Sequence, residues 1–263
     1  NNPAESDLYR LTLKDGGYVL DGVVKPFETS TEVITIKGKD GQLRQDTLTI
    51  RRTVHGPVVA ERNGATIAMR VAAIDRPRLF EQFWRMGLAH NLAEWKDAMR
   101  MQQLPLFNTA YADRDGHIGY VYNATLPEHP TGDYRYWQGV VPGDRSDLIA
   151  TTIVPFDKVP QVFDPPTGWV QNSNDMPWTS VYPPMLDSTQ FAAGFAAPQG
   201  ITQRAQRGTR ILSGFTGKKM TFADVKAGKL STRLETADQF VDDIVATAKK
   251  IGTEDRKSTR LNS

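Results

Sequence analysis

The first third of the chain alternates apolar and polar residues with the two-residue period of a half-buried β-strand. The alternation is clearest over residues 31–36 and 48–54, and residues 39–42 (KDGQ) between them have the composition of a turn. These segments predict an antiparallel hairpin. Similar runs at residues 8–13 and 65–72 predict further strands.

Helical patterns follow these strands. Asn91 is a good N-cap for a helix over residues 92–101, and Thr221 is a good N-cap for one over residues 222–227. An amphipathic run over residues 234–249 predicts another helix. Because antiparallel strands precede runs of helices instead of alternating with them, we expect an α+β layered fold and not a doubly wound parallel sheet.

The composition is that of an ordinary globular protein, since 39% of the 263 residues are hydrophobic and 24% are charged. There is no cysteine, which excludes disulfides and thiol chemistry. No apolar run reaches the length needed to cross a bilayer, so we expect no membrane association through a spanning segment.

The last nine residues, 255–263 (DRKSTRLNS), resemble the in-frame translation of a common sequencing adapter, and we predict that they are not native. They hold three of the 32 Lys and Arg residues and one of the 30 Asp and Glu residues, which leaves 29 of each in residues 1–254. This balance gives no reason to expect nucleic-acid binding. We expect residues 1–254 to be one partial domain cut from a longer chain.

Several familiar sites are excluded. The four histidines lack metal-ligand spacing, and neither a Gly-rich phosphate loop nor a Gly-x-Ser-x-Gly elbow is present. Residues 113–116 (DRDG) begin like a calcium loop but lack its later acidic ligand, so they predict a hairpin turn between strands at residues 108–112 and 118–122. The proline- and glycine-rich residues 127–166 predict long ordered loops.

The most distinctive segment is residues 168–178 (GWVQNSNDMPW), which places three amide side chains between two tryptophans. Amides are neutral hydrogen-bond donors, so they suit a site that stabilises developing negative charge. Gln171, Asn172 and Asn174 are therefore candidates for such a site. On this segment alone, the commoner use of asparagine, which is to cap turns ahead of Pro177, is the favoured interpretation.

Four segments together resemble, in order, the motifs of one family. They are residues 53–58 (TVHGPV), 108–121 (NTAYADRDGHIGYV), 164–174 (DPPTGWVQNSN) and 201–212 (ITQRAQRGTRIL). Each segment is weak on its own. The ordered set resembles the penicillin acylase family of N-terminal nucleophile hydrolases, which includes penicillin, cephalosporin and acyl-homoserine-lactone acylases.

The resemblance implies a four-layer αββα fold with antiparallel sheets, which we expect to be incomplete at its N-terminus. It also implies an amidase made by autocatalytic cleavage of a zymogen, whose β-chain begins with a catalytic serine and pairs with an α-chain from the same precursor. A free α-amine, with an ordinary pKa of about 7.7–8.0, can serve as the base for that serine. The expected location is periplasmic or secreted.

The serine and the α-chain are expected upstream of this chain, so we expect the chain alone to be inactive. The implied substrate is a small-molecule amide that joins an acyl group to an amine. A β-lactam, an N-acyl homoserine lactone and an acylated peptide are all open candidates, and no nucleic-acid partner is expected.

The resemblance also implies roles for individual residues. Asn174 matches the asparagine that donates to the oxyanion, and Arg204 matches an arginine near the α-amine, where a fixed cation disfavours protonation of that amine. Arg207 and Arg210 lie at helical spacing from Arg204. Two alternatives follow. The match to the family arginine could be displaced by three residues, or the arginines could form a solvated basic helix face.

Two aromatic residues match positions that line the acyl pocket. Phe83 and Phe107 would suit an apolar acyl chain or an aryl group. The alternative role for both residues is ordinary packing in the hydrophobic core. Asp7 matches one ligand of a calcium site of the family, but Ala4 stands where another carboxylate is expected. No metal or cofactor is therefore predicted.

A function of a different class is the alternative to the amidase. The chain could be a non-catalytic β-rich module whose ligand stacks on Tyr134, Trp137, Trp169 and Trp178. Exposed and coplanar tryptophans would favour this module, whereas convergence of the proposed oxyanion residues would favour the amidase.

Overall fold

A computed structural model of the chain describes residues 5–104, 107–122, 125–191, 194 and 200–251. Ala4 and the segment 255–263, both singled out in the sequence, lie outside the described residues. The strands are β1 (Ser6–Leu11), β2 (Leu13–Lys14), β3 (Gly17–Leu20), β4 (Val23–Lys25), β5 (Glu28–Lys37), β6 (Leu43–Thr53), β7 (Gly56–Arg62), β8 (Ala65–Val71), β9 (Thr109–Ala112), β10 (Ile118–Val121), β11 (Val140–Pro142) and β12 (Gln161–Phe163). The helices are α1 (Leu79–Leu88), α2 (Leu92–Met99), α3 (Tyr134–Gln138), α4 (Gln203–Ser213), α5 (Phe222–Lys229) and α6 (Glu235–Ile251).

Six strands form the largest sheet, in the order β11-β1-β8-β7-β6-β5. Neighbouring strands are antiparallel except β1 and β11, which run parallel with Leu8 opposite Val140. The sequence predicted the antiparallel strands but not this parallel pair. Strand β11 comes from a distant part of the chain, and a local apolar pattern carries no information about such a partner.

The predicted hairpin of the first third is confirmed. Strands β5 and β6 pair from Glu28 opposite Arg52 to Lys37 opposite Leu43, and Gly41 adopts a positive φ in the connecting turn. Most residues of the hairpin are exposed, and β5 is the edge strand of the sheet.

A tight corner joins β6 to β7. Gly56 has a φ of +122°, and a Cβ added there would lie 2.2 Å from the carbonyl oxygen of Met69, so the corner requires glycine. The buried ring of His55 stacks on Tyr9, and its Nε2 donates to the carbonyl oxygen of Gly143 at 2.9 Å. Burial lowers the pKa of His55, so this corner favours the neutral imidazole.

The main hydrophobic core lies beside a second sheet, whose strands have the order β12-β10-β9. Trp95 and Met99 of α2 pack with Tyr120 of β10 in the main hydrophobic cluster. The predicted turn between β9 and β10 is confirmed, because Asp113 Oδ1 accepts the backbone N–H of His117 at 2.9 Å. Strands β2, β3 and β4 form a third, small sheet.

The predicted helix starts are confirmed by their caps. Asn91 accepts the backbone N–H of Glu94 at the start of α2, and Thr221 accepts that of Asp224 at the start of α5. Helix α3 lies within the stretch that predicted loops, and Asp133 caps it. None of the helices within the described residues is long and apolar enough to span a membrane.

Candidate active site

Residues 171–175 form a loop that hydrogen bonds hold against the turn that follows it. The backbone N–H of Gln171 donates to the carbonyl oxygen of Ser180 at 2.8 Å. The buried side chain of Gln171 donates to the carbonyl oxygen of Thr179 and accepts the hydroxyl of Ser173 at 2.9 Å. The Gln171 amide is therefore committed to shaping the loop.

Asn172 also has a structural part in the loop. Its Oδ1 accepts the backbone N–H of Asn174 at 2.9 Å, which is the hydrogen bond of an Asx turn, and it accepts Nδ2 of Asn108 at 3.2 Å. Asn174 has a φ of +53°, a left-handed conformation that asparagine tolerates better than most residues. Asn172 thus follows the turn-capping interpretation.

The Asn174 side chain is exposed and meets the first turn of α4. Arg204 Nη2 donates to the carbonyl oxygen of Ser173 at 2.6 Å and lies 3.4 Å from Oδ1 of Asn174. Because a guanidinium only donates hydrogen bonds, it fixes the amide with its oxygen towards the arginine. No residue in the described part of the chain accepts a hydrogen bond from Nδ2 of Asn174, so this donor remains available.

The other two arginines of α4 face α6. Arg210 Nη2 lies 2.6 Å from Oε1 of Glu235, whose side chain is only 1% exposed, and Arg207 Nη1 lies 3.3 Å from Oδ2 of Asp238. The side chain of Arg207 is 22% exposed and that of Arg210 is 60% exposed, so Arg210 is solvated as the alternative expected, but both charges bind carboxylates and contact a second helix. Arg204, in contrast, has no carboxylate oxygen within 4.0 Å among the described residues.

Asp175 was not singled out in the sequence, yet it joins the loop to α4. Its side chain is buried, with Oδ2 accepting the backbone N–H of Thr202 at 2.6 Å and Oδ1 accepting that of Met176 at 3.0 Å. Thr202 is the N-cap of α4, and its hydroxyl accepts the N–H of Ala205. No sequence signal links Asp175 to Thr202, because only the fold brings them together.

Phe83 and Phe107 are both exposed, at 48% and 57% of their surface. The core-packing alternative is therefore wrong for both. Helix α1 instead buries Gln82, whose Oε1 accepts a backbone N–H at 2.6 Å. Phe107 precedes Asn108, whose side chain bonds to the loop that carries Asn174, whereas Phe83 has no such link within the described residues.

The stacking surface of the alternative ligand-binding module is contradicted. Trp137 is fully buried and stacks on His129, and Trp169 is 8% exposed, with Nε1 donating to the hydroxyl of Thr216 at 3.2 Å. These two rings are part of the interior, so they cannot present coplanar faces to a ligand.

Asp7, the residue that matched a calcium ligand, has a different partner. Its Oδ1 lies 2.9 Å from Nε2 of His129, and both side chains are 2% exposed. Among the described residues, no group of three or more His, Asp or Glu could hold a metal ion. These residues do not supply the cluster of oxygen ligands that calcium prefers.

Comparison with known families and proteins defines the class. The family model described as "Penicillin amidase" matches residues 1–262, and the chain belongs to that family. An acyl-homoserine lactone acylase PvdQ of Pseudomonas fluorescens is 30% identical over 195 residues, which cover 65% of this chain and 25% of that protein. A penicillin G acylase of Escherichia coli is 31% identical over 168 residues, which cover 62% of this chain and 19% of that protein.

The fold agrees with this membership. The structure of a thermostable penicillin G acylase from Alcaligenes faecalis matches with a TM-score of 0.66 at 23% identity, covering 86% of this chain and 39% of that one. The chain is thus a mixed α+β protein with mostly antiparallel sheets and the fold of the N-terminal nucleophile hydrolases. It spans a fifth to a quarter of the length of the curated relatives described above.

Proposed function

We propose that the chain is part of an amidohydrolase that cleaves a linear amide through an N-terminal serine located outside these residues, with Asn174 stabilising the oxyanion. One observation carries the proposal. Arg204 holds the oxygen end of the Asn174 amide, at 3.4 Å, so the Nδ2 donor is turned away from the helix. Gln171 donates from its NH2 group to the carbonyl oxygen of Thr179, and Oδ1 of Asn172 accepts hydrogen bonds within the loop and from Asn108, so of the three amides only Asn174 is oriented by Arg204 in the described structure.

The chemistry of amide hydrolysis requires such a donor. Attack on an amide carbonyl creates a tetrahedral oxyanion, and a donor already in position stabilises it without reorganisation. A neutral amide does this without the cost of bringing another charge into the site. Arg204 adds a fixed positive charge beside the loop, and a nearby cation disfavours protonation of an α-amine that acts as the base.

The aromatic side chains support a preference for an apolar acyl group. Phe107 is exposed beside the loop through Asn108, and Phe83 is exposed on α1. Two relatives are named as acylases of acyl-homoserine lactones and of penicillin G, which makes both compound classes candidate substrates. We further propose processing from a precursor with an α-chain and a periplasmic or secreted location, as the family resemblance implies.

The test uses the complete protein that contains this chain, produced from its full reading frame. Acyl release from a panel of linear amides is measured for the wild type and for replacement of the N-terminal serine by alanine. We expect hydrolysis by the wild type and none by the serine variant. A complete protein without an N-terminal serine, threonine or cysteine would contradict the proposed mechanism.

A matched pair of variants then tests Asn174. Asn63 and Asn174 are both exposed and share a φ of +53°, so alanine at either position meets the same backbone strain. We expect N174A to lower kcat about 10²- to 10³-fold, and N63A to leave kcat unchanged. Equal kcat values for the two variants would remove Asn174 from the mechanism.

A further inference from the structure

We propose that Asp175 is a positioning residue, which fixes the Asn174 loop against the start of α4 and thereby sets the relation of Asn174 to Arg204. This inference rests on the proposed function of the same site. Asp175 follows Asn174 directly, and its Oδ2 reaches the backbone N–H of Thr202, two residues before Arg204. Its carboxylate therefore joins the two elements that carry the proposed catalytic residues.

The geometry requires a carboxylate at this position. One oxygen accepts the N–H of Met176 at 3.0 Å and the other accepts that of Thr202 at 2.6 Å, so both must be acceptors. Asparagine offers one acceptor and one NH2 group, which would face an N–H donor at one of the two contacts. The side chain of Asp175 is also buried, and a buried donor left without an acceptor costs free energy.

The position at a helix N-terminus adds a second reason. Thr202 is the N-cap of α4, and the first backbone N–H groups of a helix carry a partial positive charge. A carboxylate bound at that point stabilises the helix start, so the bond orders the loop and the helix together.

Two further contacts bring the loop against the same helix. Arg204 donates to the carbonyl oxygen of Ser173, and a Cβ added to Gly208 would lie 3.3 Å from Oε1 of Gln171. The loop is therefore in contact along the first two turns of α4. Asp175 differs from these contacts because it is adjacent to Asn174, where a small displacement moves the donor directly.

The first test is kinetic and uses the complete enzyme. D175N is expected to lower kcat about 10- to 100-fold with KM changed less than about twofold, because a displacement near 1 Å in a catalytic group has effects of this size. In an N174A background, D175N should lower kcat less than about threefold, since Asp175 acts through Asn174. D133N, which alters the cap of α3, is the control and should keep wild-type kcat.

A second pair of variants keeps the carboxylate and tests the same bond from its other end. Thr202 has a φ of −70°, which proline can adopt, so T202P removes the N–H that donates to Asp175. T202A removes the hydroxyl cap but keeps that N–H. We expect T202P to lower kcat at least about fivefold more than T202A does, in line with the loss of a hydrogen bond to a charged group.

Hydrogen exchange separates failure of this inference from failure of the proposed function. In D175N, exchange of the Met176 and Thr202 amides should rise about tenfold or more, while that of the α3 amides stays unchanged. A wild type inactive on every amide would contradict the proposed function, and the exchange result would then decide on Asp175. Unchanged exchange, wild-type kcat in D175N, or an equal loss of kcat with and without Asn174 would overturn the positioning role.

Discussion

The two faces of helix α4 use arginine in different ways. Arg204 donates to the carbonyl oxygen of Ser173 and lies beside the Asn174 amide, both of which are neutral acceptors. Arg207 and Arg210, one and two turns further on, bind carboxylates of α6. A guanidinium paired with a carboxylate has little net charge to offer, whereas the charge of Arg204 remains uncompensated within the described structure. One face of the helix therefore serves the site and the other serves the fold.

The largest expected effect concerns the docking face, which is the face of α4 where Arg207 and Arg210 bind α6. Glu235 is the buried residue of α6, and its main partner is Arg210 at 2.6 Å, with Arg207 at 3.9 Å. R210M should lower the opening free energy of α6 by about 3 kcal/mol, because it leaves a buried carboxylate poorly compensated. Native-state hydrogen exchange of α6 in the complete protein measures this change.

A matched control for that variant is Arg44, which pairs with Asp46 on the exposed β5–β6 hairpin. R44M should alter stability by less than about 1 kcal/mol, as is usual for exposed ion pairs. R210M should also keep wild-type kcat. A loss of kcat in R210M without any opening of α6 would show that the two faces are not separate.

The second largest effect concerns the site face, which is the face of α4 where Arg204 contacts the Asn174 loop. R204M should lower kcat about tenfold, because it removes both the fixed charge and the group that orients the Asn174 amide. Its effect on stability should stay below about 1 kcal/mol, since the side chain is exposed and has no carboxylate partner among the described residues. Steady-state kinetics and denaturation of the same preparation measure the two quantities.

R204K sharpens this prediction. Lysine keeps the charge, but its shorter and more flexible side chain does not place a donor where Nη2 of Arg204 contacts both the Ser173 carbonyl and the Asn174 amide. An intermediate kcat is expected. If R204M instead opened α6 and kept its kcat, Arg204 would belong with the docking arginines.

The smallest effect concerns pH. A hydrogen bond from Arg233 lowers the pKa of Asp238 below its ordinary value of 3.8. This pair therefore contributes stability at pH values above 3.8, and the contribution is lost as pH falls through the lower pKa of the folded state. The difference in α6 stability between wild type and D238N should be constant from about pH 7 to 5 and should shrink on further acidification.

The comparison of D238N with wild type must be made at each pH, with exchange rates corrected for the intrinsic effect of pH. A difference that grows on acidification would contradict the assigned partners of Asp238.

Local sequence patterns were sufficient to predict the elements that are specified by neighbouring residues, such as hairpins and capped helices. The β5–β6 hairpin follows from alternation and a turn, and α2 and α5 follow from the caps Asn91 and Thr221. Helix α1 shows the limit of this reasoning. Phe80 and Trp84 are four residues apart, as on one face of a helix, yet they are 85% and 70% exposed, because the helix packs through the side that carries Gln82.

The candidate site divides in the same way. The motif that contains Asn174 was visible in the sequence, and so was the helix that contains Arg204. The link between them was not, since the bond from Thr202 to Asp175 joins residues far apart in the chain. A carboxylate next to an asparagine has no distinctive local pattern, and only the docking of α4 on the loop reveals its part.

The central claim is that Nδ2 of Asn174 donates to the oxyanion while Arg204 holds the other end of the amide. A crystal structure of the complete protein with a boronic acid analogue of the tetrahedral intermediate tests it most directly. We predict an analogue oxygen about 2.7–3.1 Å from Nδ2, with Oδ1 still facing Arg204. An analogue bound at the serine with Nδ2 of Asn174 turned away, and another donor on the oxygen, would contradict the claim.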